Sequence, residues 1–424
     1  MKNFIQTLKK RGMFHAATAG TETQLAKEKT AAYIGFDPTA PSLHIGNLAT
    51  IMLLKHLQLA GHQPVIVLGG ATGMIGDPSF KAAERKLLNI DTLRHNQACI
   101  EKQLRRFLDF SGDNGALLVN NYDWFKSISF LDFLRDVGKY ISVNYMMAKD
   151  SVKTRLTTGI SYTEFAYSLL QAHDFYHLYT QHNVKMQMGG ADQWGNITAG
   201  TELIRKKAQG AAFGLTTPLI VKADGTKFGK TESGNVWLAP SMTSPYEFYQ
   251  FWINTSDEDA EMLVKRMTLY PLEKVEGIIA RHRLAPHKRI LQKALAKEVT
   301  CFVHSAETYQ QVVKASEILF GVGSSEALHT LNEKLFLSML AGVPKVTIDQ
   351  NHTDSLTSLL SYGTRSRIFS SKRIAREVIT AGGIRLNKVQ LRDPNTLPAL
   401  DWLFGKYILV QKGTKHFFII EKQG

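Results

Sequence analysis

Cysteine is nearly missing: only Cys99 and Cys301 occur in 424 residues. They stand far apart in no metal-ligand spacing, which excludes a disulfide scaffold and a thiolate zinc site and points to a reducing compartment. Long apolar runs are missing too. No segment approaches the roughly 20 uninterrupted residues of a bilayer span, so a membrane-embedded helix bundle is excluded. Met1 to Gly20 contain Lys2, Lys9, Lys10 and Arg11 but no apolar core, so we read no secretion signal and expect a cytoplasmic protein. Repeats and low-complexity tracts are absent. Acidic residues are scarce, 37 against 51 Lys and Arg, leaving a formal charge of +14. Charge alone is weak evidence, but a polyanionic partner would account for it.

What is present reads as ordinary globular material, with 44% hydrophobic and 21% charged residues. The length predicts two or three domains. The charge is uneven: residues 356–424 hold 12 Lys and Arg against 4 Asp and Glu, so +8 of the +14 falls in the last 69 residues. Such a concentrated cationic tail is suited to nucleic-acid phosphates. Arg365, Arg367, Lys372, Arg373 and Arg376 cluster before and on one predicted helix, and Arg385 and Lys388 follow a double glycine.

Periodicity predicts an α/β first half. Ala31 to Phe36 reads as a buried strand, the Asp37 to Pro41 stretch as a turn, and His44 to Ala60 as a helix stopped by Gly61. Pro64 to Leu68 is a second strand running into a glycine-rich loop, Gly69 to Asp77, and strand-like runs recur at Ala116 to Val119 and Val184 to Met188. Alternation of this kind predicts a doubly wound parallel sheet, with its ligand crevice beyond the carboxyl ends of the strands. Asp224 to Asn235 reads as a mobile glycine- and lysine-rich loop, and Ser244 to Ser316 as helical.

Two short motifs carry chemistry. His44-Ile45-Gly46-Asn47 stands where a strand and turn pass into a helix, whose free N–H groups and positive dipole end attract phosphate. Gly46 would let a flat base approach the backbone. Taken alone, the tetrapeptide is equally an ordinary capped helix. Lys227-Phe228-Gly229-Lys230-Thr231 could close two lysines over a triphosphate, though by itself it is a solvated basic loop.

Together these motifs resemble the paired HIGH and KMSKS signatures of the class I aminoacyl-tRNA synthetases, in the same order. Tyr33 to Thr39, Gly69 to Asp77, Tyr167 through Gln171 to Asp174, and Gln187 to Asn196 resemble the bacterial tyrosyl-tRNA synthetases, and the likeness extends over essentially the whole chain. Two departures from the signatures stand out: Asn47 in place of histidine, and Phe228-Gly229 in place of Met-Ser. An asparagine amide can still donate to a ribose oxygen or phosphate.

The resemblance implies an ATP-dependent tyrosine–tRNA ligase with a Rossmann-like parallel-sheet catalytic domain (1–220), a mobile lysine loop and connector (221–245), a helical domain (246–325), a linker (326–355) and a small α+β RNA-binding domain (356–424). By the same likeness, Tyr33 and Asp174 hold the substrate phenol, Asp77, Tyr167 and Gln171 receive the ammonium, and Gln187 and Gln193 steady the carboxylate. Gly35, Asp37, Thr39, Gly46, Gly190 and Asp192 line the ATP region, with Asp192 on the ribose. Thr39, His44, Asn47, Lys227, Lys230 and Thr231 serve adenylate formation, with Phe228 and Gly229 in the same loop and Lys81 and Arg85 as further candidates. ATP is expected as its magnesium complex, with no tightly bound cofactor, no dedicated protein cage for the metal, and no membrane. L-tyrosine, tRNA(Tyr) and a second copy of the chain are the expected partners. A tryptophanyl-tRNA synthetase shares both signatures. Tyr33 paired with Asp174 suits a phenol better than an indole, because aspartate only accepts while tyrosine can donate. The other alternative is a synthetase-derived RNA-binding protein without ligase activity.

Overall fold

Strand, turn and helix follow one another as the alternation predicts, and they build a six-stranded sheet. The computed structural model describes residues 3–77, 79, 87–149, 152–153, 159–221, 223, 225, 228–231, 234–320, 324–340, 343–348, 354–413 and 416–422. The chain divides into two compact units, Met1–Thr243 with Gln250–Val303, and Ser244–Tyr249 with His304–Gly424.

In the first unit the strands are β1 (Ala16–Ala17), β2 (Ala31–Phe36), β3 (Gln63–Leu68), β4 (Leu117–Asn120), β5 (Val184–Gly190) and β6 (Phe213–Thr217). Their spatial order is β1-β6-β5-β2-β3-β4. All neighbours run parallel except β1, which joins β6 antiparallel. The helix Ile45–Leu59 crosses from β2 to β3, Ile90–Leu104 from β3 to β4 and Trp194–Lys207 from β5 to β6. Strand order reverses between β2 and β5, so the crevice of a doubly wound sheet should open beyond their carboxyl ends. The β2–β5 register shifts after its first pair: Ala31 faces Val184, but Ala32 faces Met186, leaving Lys185 without a partner on β2. Lys185 instead reaches Glu28 at 2.6 Å.

The helix Ile45–Leu59 is apolar nearly all round, with Ile45, Leu48, Ile51, Met52, Leu53, Leu54 and Leu57 buried, as an interior helix must be. Beneath the strand ends, Tyr33, Val65, Val67, Trp124, Phe175 and Leu178 form one apolar cluster. A two-stranded hairpin, β7 (Lys230–Thr231) with β8 (Gly234–Asn235), follows the sheet. Helices Asp257–Met267, Leu272–Leu284 and Ile290–Val303 complete the unit.

The second unit carries a five-stranded sheet in the order β11-β10-β12-β13-β9, made of β9 (Lys345–Thr347), β10 (Ile384–Leu386), β11 (Val389–Leu391), β12 (Tyr407–Lys412) and β13 (His416–Glu421). Residues 326–355, read from the sequence as a linker, hold a short helix, Glu333–Met339, and β9. Leu328, Phe336, Met339 and Leu340 are buried there with Leu403, Tyr407, Leu409 and Ile419.

Candidate active site

At the switch point a cleft of about 470 Å³ opens, walled by the ends of β2 and β5, the glycine loop after β3, the start of the helix Ile45–Leu59, and the helix Tyr162–His182. Tyr33, Asp37, Asp77, Asp174 and Asp192 all line it. Four aspartates converging on one cleft favour a cationic group there.

At its inner end, the Tyr33 ring packs edge-on to Phe175 with centroids 5.3 Å apart. Its hydroxyl is buried without a hydrogen-bond partner, which is costly unless a ligand supplies one. Burial, and then the Asp174 charge, push the Tyr33 hydroxyl well above its ordinary pKa. Asp174 accepts from Trp124 Nε1–H at 2.9 Å and from Asn121 Nδ2–H at 3.1 Å. Burial outweighs these two bonds and raises its carboxyl to about 8, with Asp37 adding to the rise. Asn121 also donates to Thr72 Oγ1 at 2.9 Å, and Thr72 donates to Asp37 Oδ1 at 2.7 Å. Tyr167 closes the chain by donating to Asp37 Oδ2 at 2.9 Å. The polar floor is therefore one connected network, in which each member holds the next in place. Gly69 is indispensable to it, because a Cβ there would fall 2.0 Å from Asp37 Oδ1.

At the outer end, Asp77 accepts from Gln193 Nε2–H at 2.7 Å and from the Ser79 backbone N–H at 2.9 Å. Gln171 lines the cleft with its Oε1 unpartnered. Gln187 is not in the cleft wall. It is buried on β5 opposite Tyr33, with Oε1 unpartnered. Gly35 leaves open space where a side chain would stand, and a Cβ at Gly190 would meet Asp192 Oδ1 at 2.5 Å.

His44 is the N-cap of its helix. Its Nδ1 accepts from the Gly46 N–H at 3.0 Å, and Asn47 Oδ1 accepts from the His44 N–H at 3.1 Å, a reciprocal cap. Accepting at Nδ1 leaves Nε2 as the donor of a neutral ring. A Cβ on Gly46 would sit 2.7 Å from the His44 ring, so glycine is what permits this cap. Thr39, Gly46, Asn47 and Thr50 also line the cleft.

The lysine-loop segment is stitched to this helix start. Ile45 N–H donates to Val236 O at 3.0 Å, Leu238 N–H to Leu43 O at 2.8 Å, and Val236 N–H to Gly229 O at 3.1 Å. Gly229 has φ 95°, and a Cβ there would strike Ile45 Cγ1 at 2.9 Å. Phe228 is buried against Phe251 and Trp252, with centroids 5.1 and 5.7 Å away. The two departures from the usual loop signature thus have a local cause: an aromatic anchor, then a glycine that alone fits beside Ile45. Lys81, Arg85 and Lys227 lie outside the described residues, and of Lys230 and Thr231 only the backbone, in β7, is described.

In the second unit, Ser371 caps the helix Lys372–Thr380, which buries Ala375 and Ile379 and exposes Lys372, Arg373 and Arg376. Arg365 and Arg367 are exposed just before it. Gly382, at φ 72°, ends the helix against the β10–β11 hairpin: Gln390 Nε2–H donates to its carbonyl at 2.7 Å. The hairpin turns through Asn387 and Lys388, both left-handed at φ 44° and 73°. Arg385 and Lys388 are half-buried, and burial, then Arg385, lower the Lys388 pKa.

The family model "tRNA synthetases class I (W and Y)" matches residues 25–321. The chain belongs to that family. A second model, "Tyrosine--tRNA ligase SYY-like C-terminal domain", matches residues 336–420 of the synthetase. It is 55% identical to the tyrosine–tRNA ligase of Cytophaga hutchinsonii over 99% of both chains, and 54% identical to that of Bacteroides thetaiotaomicron over the same shares. Among solved structures it resembles a C-terminally truncated mitochondrial tyrosyl-tRNA synthetase of Aspergillus nidulans, with TM-score 0.68 and 29% identity over 76% of this chain and 95% of that one. A tryptophanyl-tRNA synthetase of Plasmodium falciparum, 14% identical with TM-score 0.52, shares the fold.

Sequence reasoning missed Thr50, Thr72, Asn121 and Trp124 of the synthetase's cleft region. Thr50 follows Asn47 on the same helix face, and its hydroxyl donates to the Asn47 carbonyl at 2.8 Å, so helical spacing could have found it. The other three act through partners 35 to 53 residues distant, which no local pattern signals.

Proposed function

We propose that the synthetase is a tyrosine–tRNA ligase that joins L-tyrosine to ATP as tyrosyl-adenylate, releases pyrophosphate, and passes the tyrosyl group to the 3′ ribose of tRNA(Tyr). The observation that carries the choice of amino acid is the buried Tyr33 hydroxyl, unpartnered in a cleft where Asp174 is the adjacent acceptor. A phenol O–H satisfies both at once, donating to Asp174 and accepting from Tyr33. An indole N–H could serve only the first.

The remaining roles follow from position. The ammonium sits between Asp77, Tyr167 and Gln171, and Gln193 reaches the carboxylate from its bond with Asp77. Asp37, hydrogen-bonded to Tyr167 and Thr72, faces the adenylate while steadying the ammonium end. The carboxylate attacks the α-phosphorus in line, and no protein nucleophile takes part, so catalysis is positioning and charge stabilisation. His44 Nε2–H, the Asn47 amide and Thr39 meet the leaving pyrophosphate and ribose, Asp192 binds the ribose hydroxyls, and Lys227 and Lys230 close over the departing phosphates. Magnesium enters with ATP as its substrate complex. Arg365, Arg367, Lys372, Arg373, Arg376, Arg385 and Lys388 bind tRNA phosphates, and the sequence-based division into domains marks these steps along the chain. The exposed apolar side chains of Phe130, Leu131, Leu134, Val143, Met147 and Tyr162 favour a homodimer formed through that segment. A cytoplasmic setting suits the two free cysteines; among the described residues no helix is long and apolar enough to cross a membrane.

Amino-acid-dependent exchange of pyrophosphate into ATP tests the reading. Exchange with tyrosine and none with tryptophan is expected. Exchange with tryptophan instead would make the chain a tryptophanyl enzyme, and tRNA binding without any exchange would make it an RNA-binding protein.

A further inference from the structure

Trp124 helps hold Asp174, and its indole is itself buried in the apolar cluster beneath the strand ends. It sits on a four-residue helix, Tyr122–Phe125, too short to fix a side-chain direction by itself. A second constraint comes from His177, which stands three residues beyond Asp174 on the long helix Tyr162–His182. The imidazole stacks face to face on the indole, with ring centroids 4.4 Å and planes 17° apart. Residues three apart share a helix face, so one helix grips the indole twice: Asp174 takes its N–H at 2.9 Å, and His177 covers its ring.

We propose that His177 is a positioning residue for recognition of the tyrosine hydroxyl. It fixes the plane of Trp124 and so keeps Asp174 turned to accept from the phenol. The proposal rests on the tyrosine reading of the cleft. Its physical basis is the outer cleft beside the stacked pair. Trp124 and His177 both line an outer cleft of about 780 Å³ that also takes in Glu101, Asp123 and His173. Without the imidazole, the indole face opens to that cleft, the ring gains freedom to tilt, and water can compete for the bond between Nε1–H and Asp174. Asp174 would keep Asn121 as a donor but lose the bond that sets its rotation. Phenylalanine makes no use of Asp174, so its activation should be indifferent to the change.

Three variants of the full-length enzyme test this by steady-state pyrophosphate exchange with tyrosine and with phenylalanine. His177→Ala should raise KM for tyrosine about three- to tenfold, the order for a hydrogen bond loosened rather than abolished, and lower the tyrosine-to-phenylalanine ratio of kcat/KM by a similar factor. Its kcat and its KM for ATP should stay within about twofold. His177→Phe preserves a flat stacked ring and should restore discrimination. His177→Leu fills the space without stacking and should behave like alanine. Wild-type discrimination in the leucine variant, or equal loss in the phenylalanine variant, would overturn the proposal even if the alanine variant proved too unstable to assay. A wild-type enzyme that fails to exchange with tyrosine would instead sink the tyrosine reading itself.

Discussion

Removing one oxygen from Tyr33 separates recognition from stability. The residue is 1% exposed, its ring rests on Phe175, and its hydroxyl has no hydrogen-bond partner within the fold. Tyr33→Phe preserves the ring and its packing. An unsatisfied buried hydroxyl costs about 1–3 kcal/mol, so the variant should unfold at the same temperature as the wild type or higher. With tyrosine bound, the hydroxyl gains a partner and contributes a net of about 1 kcal/mol, so kcat/KM for tyrosine should fall about three- to tenfold. Asp174 remains as acceptor, which is why the loss stays moderate. For phenylalanine the sign reverses, because the variant no longer leaves a buried donor facing a substrate with nothing to offer. Discrimination therefore shrinks from both sides. Pyrophosphate exchange with each amino acid, together with scanning calorimetry, measures all three quantities. A variant that melts earlier yet discriminates as well as the wild type would reduce Tyr33 to core packing and refute the reasoning.

Burial raises the Asp174 carboxyl to about 8 from 3.8, so before tyrosine binds the group keeps its proton at neutrality. A phenol donating to this group favours the anion, and tyrosine affinity should strengthen by up to about tenfold per pH unit from 6 to 8, then level off; calorimetric titration in two buffers would also detect the released proton, and Asp174→Asn should flatten the profile. Because the folded pKa exceeds the unfolded one, this group's contribution to stability is full below about pH 4 and is lost as pH rises towards 8. Asn47→Ala removes both a nucleotide donor and the acceptor that caps His44, so melting should show about 1 kcal/mol of lost stability while adenylate formation slows and tyrosine binding holds; Asn47→His should be nearly neutral. Lys230→Ala should slow adenylate formation on the order of a hundredfold with tyrosine affinity unchanged, and equal losses in both would mark the loop as structural. Arg373→Glu combined with Arg376→Glu should weaken tRNA charging and its salt dependence yet spare pyrophosphate exchange. Charge reversal is a better probe than a cut near Leu356, because Phe336 and Met339 would lose their cover from Tyr407, Leu409 and Ile419.

Where the governing contacts are local, the sequence was legible. β2 spans the predicted residues, the helix after His44 begins one residue later than drawn, and the glycine loop ends at Asp77 beside Gln193 as the crevice argument requires. Side chains that meet only after folding were not legible. Trp124 and Asn121 belong to a stretch with no motif, and only the parallel pairing of β3 with β4 delivers it to Asp174. The family likeness implies a place for Gln187 at the carboxylate, but the pairing of β2 with β5 sets it opposite Tyr33, buried inside the fold. Residues 326–355 looked featureless because their three-residue strand owes its existence to pairing with β13, some seventy residues onward.

The unpaired Lys185 in β5 makes the cleft wall asymmetric in what it can tolerate. Side chains on a strand alternate between faces, so the extra residue sets the phase in which Met188, Gly189 and Gly190 reach the cleft. Exchanging one side chain for another leaves that phase alone. Deleting Lys185 would remove the irregularity and leave Met186 and Gln187 in their pairing with Ala32 and Tyr33, whereas a deletion after Gln187 would turn the cleft residues through to the opposite side. This wall can be retuned by point mutation and its irregularity trimmed, but a change of length beyond Gln187 would erase it.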